Sequence, residues 1–319
     1  GTIPQTGRYT VDEIEAGLWT ARGKNRSGAE NPRGMENSPR EESSRCADES
    51  AQTEKSPAPQ YRHPITFCSG CPHRGTYMAL NRGIRKAGFK QKDVIVTGDI
   101  GCTILGMNPP FNSCWTEVSM GSSIALAQGF LRAGIKTPVV ATIGDSTFFH
   151  AGIVPLINAV QQTASILVII LDNGWTSMTG FQVNPGTRKE SQRSGRRVEM
   201  DPLIRAIGPG YFTVVDPFDQ EGSVAAIAEA LKMEGTRVIV SRQECILTRE
   251  RREPLGPVYR IDGEKCVFCR MCLRESGCTA LGPVWIGGKE AMSIDPDLCR
   301  SCGLCATCCK YGAISREVP

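Results

Sequence analysis

The sequence lacks the features that mark several common classes of protein. Its 37 lysines and arginines exceed its 33 aspartates and glutamates by four, and it has three histidines. So small a net charge does not indicate a nucleic-acid-binding surface. No apolar run approaches the ~18 residues of a membrane-spanning helix, and the first residues, GTIPQTGRYT, do not have the pattern of a secretory signal. We therefore expect no nucleic-acid partner, no membrane span and a cytoplasmic location.

Cysteine, in contrast, is abundant. The chain has 15 cysteines in 319 residues, and many of them stand two residues apart. In a chain of this length without a secretory signal, such spacing is more typical of metal ligands than of disulfides. The composition therefore predicts a metalloprotein of a reducing, intracellular compartment.

Three segments differ in composition. Residues 1–60 combine one short predicted helix (1–21) with a polar stretch that is interpreted as a tether or linker. Residues 61–257 alternate between β-branched apolar runs and helical patterns. Residues 258–319 are short and rich in glycine, proline and cysteine, and a domain this small needs a metal to hold it together.

The middle segment predicts an α/β fold with a doubly wound, mostly parallel sheet. Continuous apolar strands separated by helices are typical of a sheet that is covered on both faces. The predicted strands are Val94–Thr97, Val139–Ile143, Ile166–Leu171, Phe212–Val215 and Val238–Val240, and the predicted helices are near 73–87, 121–133, 151–163 and 220–234. In such sheets ligands bind at the carboxyl ends of the strands.

The C-terminal segment contains two C-x2-C-x2-C triplets, each followed by further cysteines. Three thiolates at this spacing bind three of the four irons of an iron–sulfur cubane, and in two-cluster ferredoxins the fourth cysteine of each run binds the other cluster. The pattern therefore predicts a small bacterial-type ferredoxin domain with two [4Fe–4S] clusters. Their predicted ligands are Cys266, Cys269, Cys272 and Cys309 for one, and Cys299, Cys302, Cys305 and Cys278 for the other. Structural zinc, which prefers paired C-x2-C knuckles, is the alternative.

Two details of these runs bear on the prediction. Cys309 is preferred to Cys308 because it completes a C-x2-C-x2-C-x3-C run. The proline that usually follows the fourth cysteine is replaced by Thr279 in one run and by Lys310 in the other. We expect these replacements to change cluster solvation without removing a ligand.

Two predicted strands end in residues that suit Mg²⁺. Asp145 follows one strand in the motif GDS (144–146), and Asn173 follows the next. A strand–helix–strand crossover places both at one edge of the sheet, where a carboxylate and an amide oxygen can share an octahedral Mg²⁺. The carbonyl of Trp175 is the predicted third protein ligand, and the N–H groups after Gly144 would bind a diphosphate. By itself, GDS is also an ordinary turn.

Six motifs, in order along the chain, are similar to one known family. They are CSGCPHRG (68–75), GDIGCTILG (98–106), MGSSIALAQG (120–129), GDSTFFHAG (144–152), LDNGWTSMTGFQ (171–182) and the eight-cysteine C-terminal segment. Through them, residues 61–319 resemble the C-terminal half of the large subunit of indolepyruvate:ferredoxin oxidoreductases, a branch of the 2-oxoacid:ferredoxin oxidoreductases. Residues 1–60 are outside the resemblance.

The resemblance implies a domain that binds the diphosphate of thiamine diphosphate, with Mg²⁺ on Asp145, Asn173 and the Trp175 carbonyl. Further implied cofactor contacts are Gly101, Met120, Gly144, Ser146 and Thr176. It also implies a third, proximal [4Fe–4S] cluster, with the ligands Cys68, Cys71, Cys102 and Cys245. Buried thiols or a zinc site are the alternative for these four. Cys46, Cys114 and Cys308 have no predicted role.

Two histidines are candidates for acid–base catalysis near the cofactor. His73 lies in the CSGCPHRG loop, and His150 stands four residues after Ser146. A single histidine is more often a structural residue, so that alternative stays open for both. The basic stretch 186–198 is interpreted as a loop, with docking of an acidic ferredoxin or of CoA as the other interpretation.

The resemblance implies thiamine-dependent oxidative decarboxylation of a 2-oxoacid, such as the aryl pyruvate indolepyruvate, to an acyl-CoA. CoA would be the co-substrate, and electrons would pass singly through the clusters to ferredoxin or another carrier. We find no counterpart of the family's pyrimidine-binding domain in residues 1–319, so we expect another subunit to supply it and this chain to be inactive alone. The alternatives are an electron-transfer or docking subunit with a degenerate thiamine site, and the same chemistry on phenylglyoxylate or an aliphatic 2-oxoacid.

Overall fold

The computed structural model describes residues 63–188, 190, 195–253 and 255–316. All of these residues lie in one compact unit. The helix predicted within residues 1–21, the proposed tether up to residue 60 and Cys46 lie outside the described residues.

A five-stranded parallel sheet forms the centre of the unit. Its strands are β1 Ile95–Thr97, β2 Val139–Gly144, β3 Ile166–Asp172, β4 Tyr211–Val215 and β5 Arg237–Arg242. Their order across the sheet is β1-β2-β3-β5-β4, and every neighbouring pair is parallel. The predicted parallel sheet is confirmed, and each predicted strand agrees with an observed one to within one or two residues at either end.

Helices connect the strands and cover both faces of the sheet. They are α1 Pro72–Lys86, α2 Ser122–Arg132, α3 Ile153–Gln161, α4 Met200–Ile207, α5 Gln220–Ala230 and the short α6 Ile246–Arg249. A helical turn, Asp145–Thr147, and a π-helical segment, Phe148–Gly152, precede α3. The four predicted helices correspond to α1, α2, α3 and α5, whereas α4 was not predicted. No helix in the described part of the chain is long and apolar enough to cross a membrane.

Strand β3 shows why both faces must be covered. All its residues from Ile166 to Leu171 are fully buried. Because side chains alternate along a strand, Leu167, Ile169 and Leu171 pack in the core on the side of α1 and α5. Ile166, Val168 and Ile170 pack on the opposite side with residues of α2, α3 and α4.

The C-terminal segment contains two small antiparallel pairings, one between its two ends and one within a hairpin. β6 Tyr259–Ile261 pairs antiparallel with β9 Ile314–Arg316, and β7 Leu281–Ile286 pairs antiparallel with β8 Lys289–Ile294. A short helix, α7 Met271–Ser276, lies between them in the chain.

This segment shares its core with the α1 side of the sheet. Leu273 and Leu304 belong to the same buried cluster as residues of α1. An ion pair of 2.5 Å joins Arg82 of α1 to Glu275 of α7. So short a segment has little core of its own, and the larger fold supplies the apolar surface against which it packs.

Candidate functional site

A cleft of about 560 Å³ opens at the carboxyl ends of β1, β2 and β3. Residues 100–103 after β1, 144–147 at the end of β2, and Asn173 with 175–179 after β3 form its walls, together with His73 and Met120. All eight residues predicted to contact the cofactor line this cleft: Gly101, Met120, Gly144, Asp145, Ser146, Asn173, Trp175 and Thr176. The parallel topology brings them together, because every strand that carries one of these loops ends at the same edge.

Asp145 is the buried carboxyl group of the cleft, with 3% of its surface exposed. Burial raises the pKa of its carboxyl group well above the usual value, and the nearby Asp172 carboxylate raises this pKa further. Asn184 opposes the shift by donating a hydrogen bond of 2.9 Å from Nδ2 to Oδ2 of Asp145. A divalent cation would stabilise a carboxylate in such surroundings.

Asn173 is held by its own turn. Its Oδ1 accepts a hydrogen bond from the backbone N–H of Trp175 at 3.0 Å, and its Nδ2 donates to Oγ of Ser177 at 3.0 Å. Thr176 donates from Oγ1 to Oγ of Ser146 at 2.7 Å, which ties the loop after β3 to the loop after β2. Asp145, Asn173 and Trp175 all line the cleft, and the carboxylate, amide and carbonyl oxygens that they can offer are a set that fits Mg²⁺.

The two candidate histidines have different surroundings. His73 lines the cleft, is 3% exposed and has its Nε2 3.4 Å from Nδ2 of Asn173. Burial lowers the pKa of His73 to about 4, so its imidazole is neutral at neutral pH. His150 is exposed on the π-helical segment and is not among the residues that line the cleft.

Cys68, Cys71, Cys102 and Cys245 converge beside the cleft and are called the proximal group below. Cys102 lines the cleft itself. Burial raises the pKa of the Cys102 thiol to about 11, and the nearby thiols of Cys245 and Cys68 raise this pKa further. These three thiols are therefore neighbours. Burial likewise raises the pKa of the Cys71 thiol, and the nearby thiols of Cys68 and Cys245 also raise it. The backbone N–H of Cys245 donates to the carbonyl of Asn173 at 3.1 Å, which joins the group to the cleft.

The C-terminal cysteines border two separate cavities. The first, called the Cys266 cavity, has about 320 Å³ of empty space, and the second, the Cys278 cavity, has about 360 Å³, in both cases partly open to solvent. The cysteines bordering the first are Cys266, Cys269, Cys272 and Cys309. Those bordering the second are Cys278, Cys299, Cys302 and Cys305. Each cavity is thus bordered by one triplet and by the fourth cysteine of the other run.

Cys308 borders neither cavity. It is 6% exposed, its Sγ lies 3.1 Å from Nη2 of Arg82, and it donates towards the carbonyl of Leu304 at 3.4 Å.

Within the described ranges, no three His, Cys, Asp or Glu side chains are grouped closely enough to hold one metal ion.

Several residues of the site were not predicted from the sequence. Asn184, which holds Asp145, carries no motif and stands 39 residues away along the chain. Arg242 binds Asp172 at 2.7 Å, and no spacing rule indicates this pair. Arg74 could have been noticed, because it follows the cysteine pair and His73 within CSGCPHRG. The basic stretch 186–198 is described only in part, and its Arg188 forms an ion pair of 3.3 Å with Glu244.

A parallel α/β sheet with a cleft at its carboxyl edge is the arrangement of a cofactor-binding domain. Comparison with known families agrees, since residues 78–241 match the family described as thiamine pyrophosphate enzyme, C-terminal TPP binding domain. The chain belongs to this family.

Curated relatives are more specific. The chain is 38% identical over 270 residues to the indolepyruvate oxidoreductase subunit IorA of Pyrococcus horikoshii, a match that covers 79% of this chain and 40% of that protein. It is 33% identical over 318 residues to the IorA subunit of Archaeoglobus fulgidus, covering 98% of this chain and 47% of that protein. The resemblance predicted from the motifs is confirmed. The chain spans less than half the length of these relatives.

A solved structure gives the same fold. The 2-oxoglutarate:ferredoxin oxidoreductase of Magnetococcus marinus, with 2-oxoglutarate, coenzyme A and succinyl-CoA bound, aligns with a TM-score of 0.52 at 23% identity. The alignment covers 57% of this chain and 65% of that one. At this identity the likeness supports the fold, and the α/β fold predicted from the sequence is confirmed.

Proposed function

We propose that this chain is the catalytic and electron-transferring part of a 2-oxoacid:ferredoxin oxidoreductase, with indolepyruvate or another aryl pyruvate as the substrate. The observation that carries the proposal is the grouping of twelve cysteines. Eight border two cavities in sets of four, and four more converge next to the cleft of a thiamine-binding fold. The similarity to indolepyruvate oxidoreductase subunits supports the choice of substrate.

The cleft would hold Mg²⁺ and thiamine diphosphate. Asp145, the Asn173 amide oxygen and the Trp175 carbonyl would bind the ion, and the helical turn that begins at Asp145 would present its N–H groups to the diphosphate. When bound, thiamine diphosphate supplies a nucleophilic carbon for the keto group of a 2-oxoacid and an electron sink for its decarboxylation. His73, whose imidazole is neutral within the cleft, would contribute a hydrogen-bonding group there and not a positive charge.

The cysteine groups suit iron–sulfur clusters better than single ions. Structural zinc prefers paired C-x2-C knuckles that give four ligands to one ion. Here each cavity is bordered by three cysteines of a C-x2-C-x2-C triplet and one cysteine of the other run, which is the ligand pattern of a two-cluster ferredoxin. We therefore assign a [4Fe–4S] cluster to each cavity and a third to the proximal group. Because Cys102 borders the cleft and also belongs to the proximal group, the chain holds an electron acceptor next to the carbon chemistry.

A partner subunit would complete the site. Met120 and Met178 line the cleft yet are 57% and 50% exposed, and the adjoining Val118 is 68% exposed. Apolar side chains at the mouth of a cleft are typical of a surface that another protein covers. We propose that a pyrimidine-binding domain on another subunit lies against them, that CoA is the acyl acceptor, and that ferredoxin or a similar carrier takes the electrons.

The cofactor and metal content of the complex, purified without oxygen, tests the proposal. We expect about twelve iron atoms per copy of this chain, together with bound thiamine diphosphate and Mg²⁺. Addition of indolepyruvate and CoA should then bleach the cluster absorbance more effectively than phenylglyoxylate or 2-oxoglutarate. Zinc in place of iron would overturn the cluster assignment. Iron without thiamine diphosphate would instead make the chain an electron-transfer subunit.

A further inference from the structure

Arg74 is a fully buried arginine between two of the cysteine sites. It lies on the first turn of α1 with none of its surface exposed. Its Nη2 donates to the carbonyl of Phe67, and its Nη1 donates to the carbonyl of Ser276. The carbonyl of Cys68 lies 3.4 Å from Nε and 3.2 Å from Nη2. One side chain therefore joins the loop that carries Cys68 to the segment that leads to Cys278.

The guanidinium is also close to the thiols of both sites. Arg74 borders the Cys278 cavity. Its charge acts on Cys68 and Cys71 of the proximal group and on Cys302 of the Cys278 cavity. It does not border the Cys266 cavity. The positive charge of Arg74 therefore lies near the proximal group and the Cys278 cavity, but not at the Cys266 cavity.

Arg74 has no carboxylate partner within the described part of the chain. Arg82 and Arg300, in contrast, form ion pairs with Glu275 and Glu250. A buried guanidinium that is bound only to carbonyls keeps its full charge, and burial of an uncompensated charge is costly. Anionic groups at the two neighbouring cysteine sites would supply the missing compensation.

Direct contacts keep the two sites together around this arginine. Oγ of Ser69 and Oγ1 of Thr279 form a hydrogen bond of 2.8 Å, so the loop between Cys68 and Cys71 touches the residue next to Cys278. Gly70 has no side chain, and a Cβ built there would lie 2.5 Å from Cβ of Arg300. The close approach fixes the distance of each site from the guanidinium.

We propose that Arg74 is a positioning residue whose fixed charge is shared by the proximal group and the Cys278 cavity, and that it raises the reduction potentials of the clusters at both. A nearby positive charge favours the more negatively charged, reduced state of a cluster. The inference rests on the proposed function, because it requires clusters at these cysteines.

Two substitutions separate charge from hydrogen bonding. Arg74→Lys keeps the charge and loses the planar fork of donors, whereas Arg74→Gln keeps amide donors and loses the charge. Arg237→Gln is the matched control, since Arg237 is 2% exposed and also donates to backbone carbonyls, at the amino end of β5. Each full chain would be purified anaerobically with its partner, assayed for iron and titrated by EPR under controlled potentials.

With Arg74→Gln we expect two of the three midpoint potentials to become more negative by at least 59 mV, which is a tenfold change in a one-electron equilibrium. Arg74→Lys and Arg237→Gln should leave all three near the parent values. Loss of iron from two sites in Arg74→Gln but not in Arg74→Lys would equally support the conclusion that the positive charge of Arg74 acts on the clusters at these two sites. Unchanged potentials in Arg74→Gln, or equal iron loss in both Arg74 variants, would overturn the inference. A parent complex without iron at these sites would instead refute the proposed function.

Discussion

Nδ2 of Asn184 donates a hydrogen bond of 2.9 Å to Oδ2 of Asp145, and this bond determines how the buried carboxylate faces the cleft. Asn184 is itself fixed by a tight turn, because its Oδ1 accepts from the N–H of Gly186 at 2.8 Å and its N–H donates to Oγ1 of Thr187 at 2.8 Å. The amide cannot easily rotate away. Oδ2 of Asp145 thereby has a fixed partner, and backbone N–H groups of Ser146 and Gly174 also act on this carboxyl group.

Substitution of Asn184 should therefore weaken metal binding without removing a ligand. We expect Asn184→Ala to lower the affinity for Mg²⁺ by about 10–100-fold, the usual effect of losing a partner that orients a metal ligand. Thiamine diphosphate binding, followed by calorimetry at a series of Mg²⁺ concentrations, measures the change. Asn158→Ala, at an exposed position of α3, is the control. Equal Mg²⁺ dependence in the two variants would show that Asn184 does not orient Asp145.

The adjacent cysteines 308 and 309 give a sharp test of the cluster ligands. Cys309 borders the Cys266 cavity, whereas Cys308 contacts Arg82 and Leu304. We expect Cys309→Ser to change the EPR signal of one cluster and to lower the iron content. Cys308→Ser should keep both at parent values. If instead the Cys308 variant lost iron and the Cys309 variant retained it, the ligand assignment would be reversed.

A second pair of cysteines tests the proximal group. Cys245 belongs to that group and follows β5, while Cys114 contacts the hydroxyl of Tyr77 at 3.5 Å. Cys245→Ser should lose up to about four iron atoms per chain, the content of one cubane, and should slow cluster reduction by the 2-oxoacid. Cys114→Ser is the control, with unchanged iron. Parent iron content in Cys245→Ser would mean that the proximal group binds no cluster.

Much of the fold could be predicted because its signals are local. The run Ile166–Leu171 is apolar on both faces, and a strand of that kind is typical of the centre of a parallel sheet that is covered on both sides. The spacing of Asp145 and Asn173 depends on one crossover, so the cleft also follows from neighbouring elements. Helix α4, Met200–Ile207, is only eight residues long and follows a charged stretch, and its apolar pattern is too short to be distinctive.

The remaining parts of the site depend on contacts between distant residues. The partner of Arg74 at Ser276 is 202 residues away, and that of Ser69 at Thr279 is 210 residues away. Neither residue type nor local spacing indicates such a pair. The placement of His150 shows the converse, since proximity to Ser146 in sequence predicted a place near the cofactor, whereas the π-helical segment leaves it exposed.

Glu117 provides a prediction about pH. Its two carboxylate oxygens are buried, and no hydrogen-bond partner for them exists among the described residues apart from the weak donor thiol of Cys114 nearby. Burial raises the pKa of Glu117 from 4.5 to about 7, and the neighbouring Asp99 carboxylate contributes to the rise. Between these two values the folded chain binds a proton that the unfolded chain has released.

Stability should therefore fall as the pH rises from about 4.5 to about 7, because the folded state must then either keep the proton or bury a charge. Glu117→Gln removes this penalty, so its advantage over the parent chain in urea midpoint should grow across that window and level off above it. Glu229→Gln, at an exposed position of α5, controls for loss of one negative charge. If the midpoints of the parent and Glu117→Gln chains ran parallel from pH 5 to pH 8, Glu117 would be ionised throughout that range, and the buried carboxyl would have a compensating partner in the folded chain.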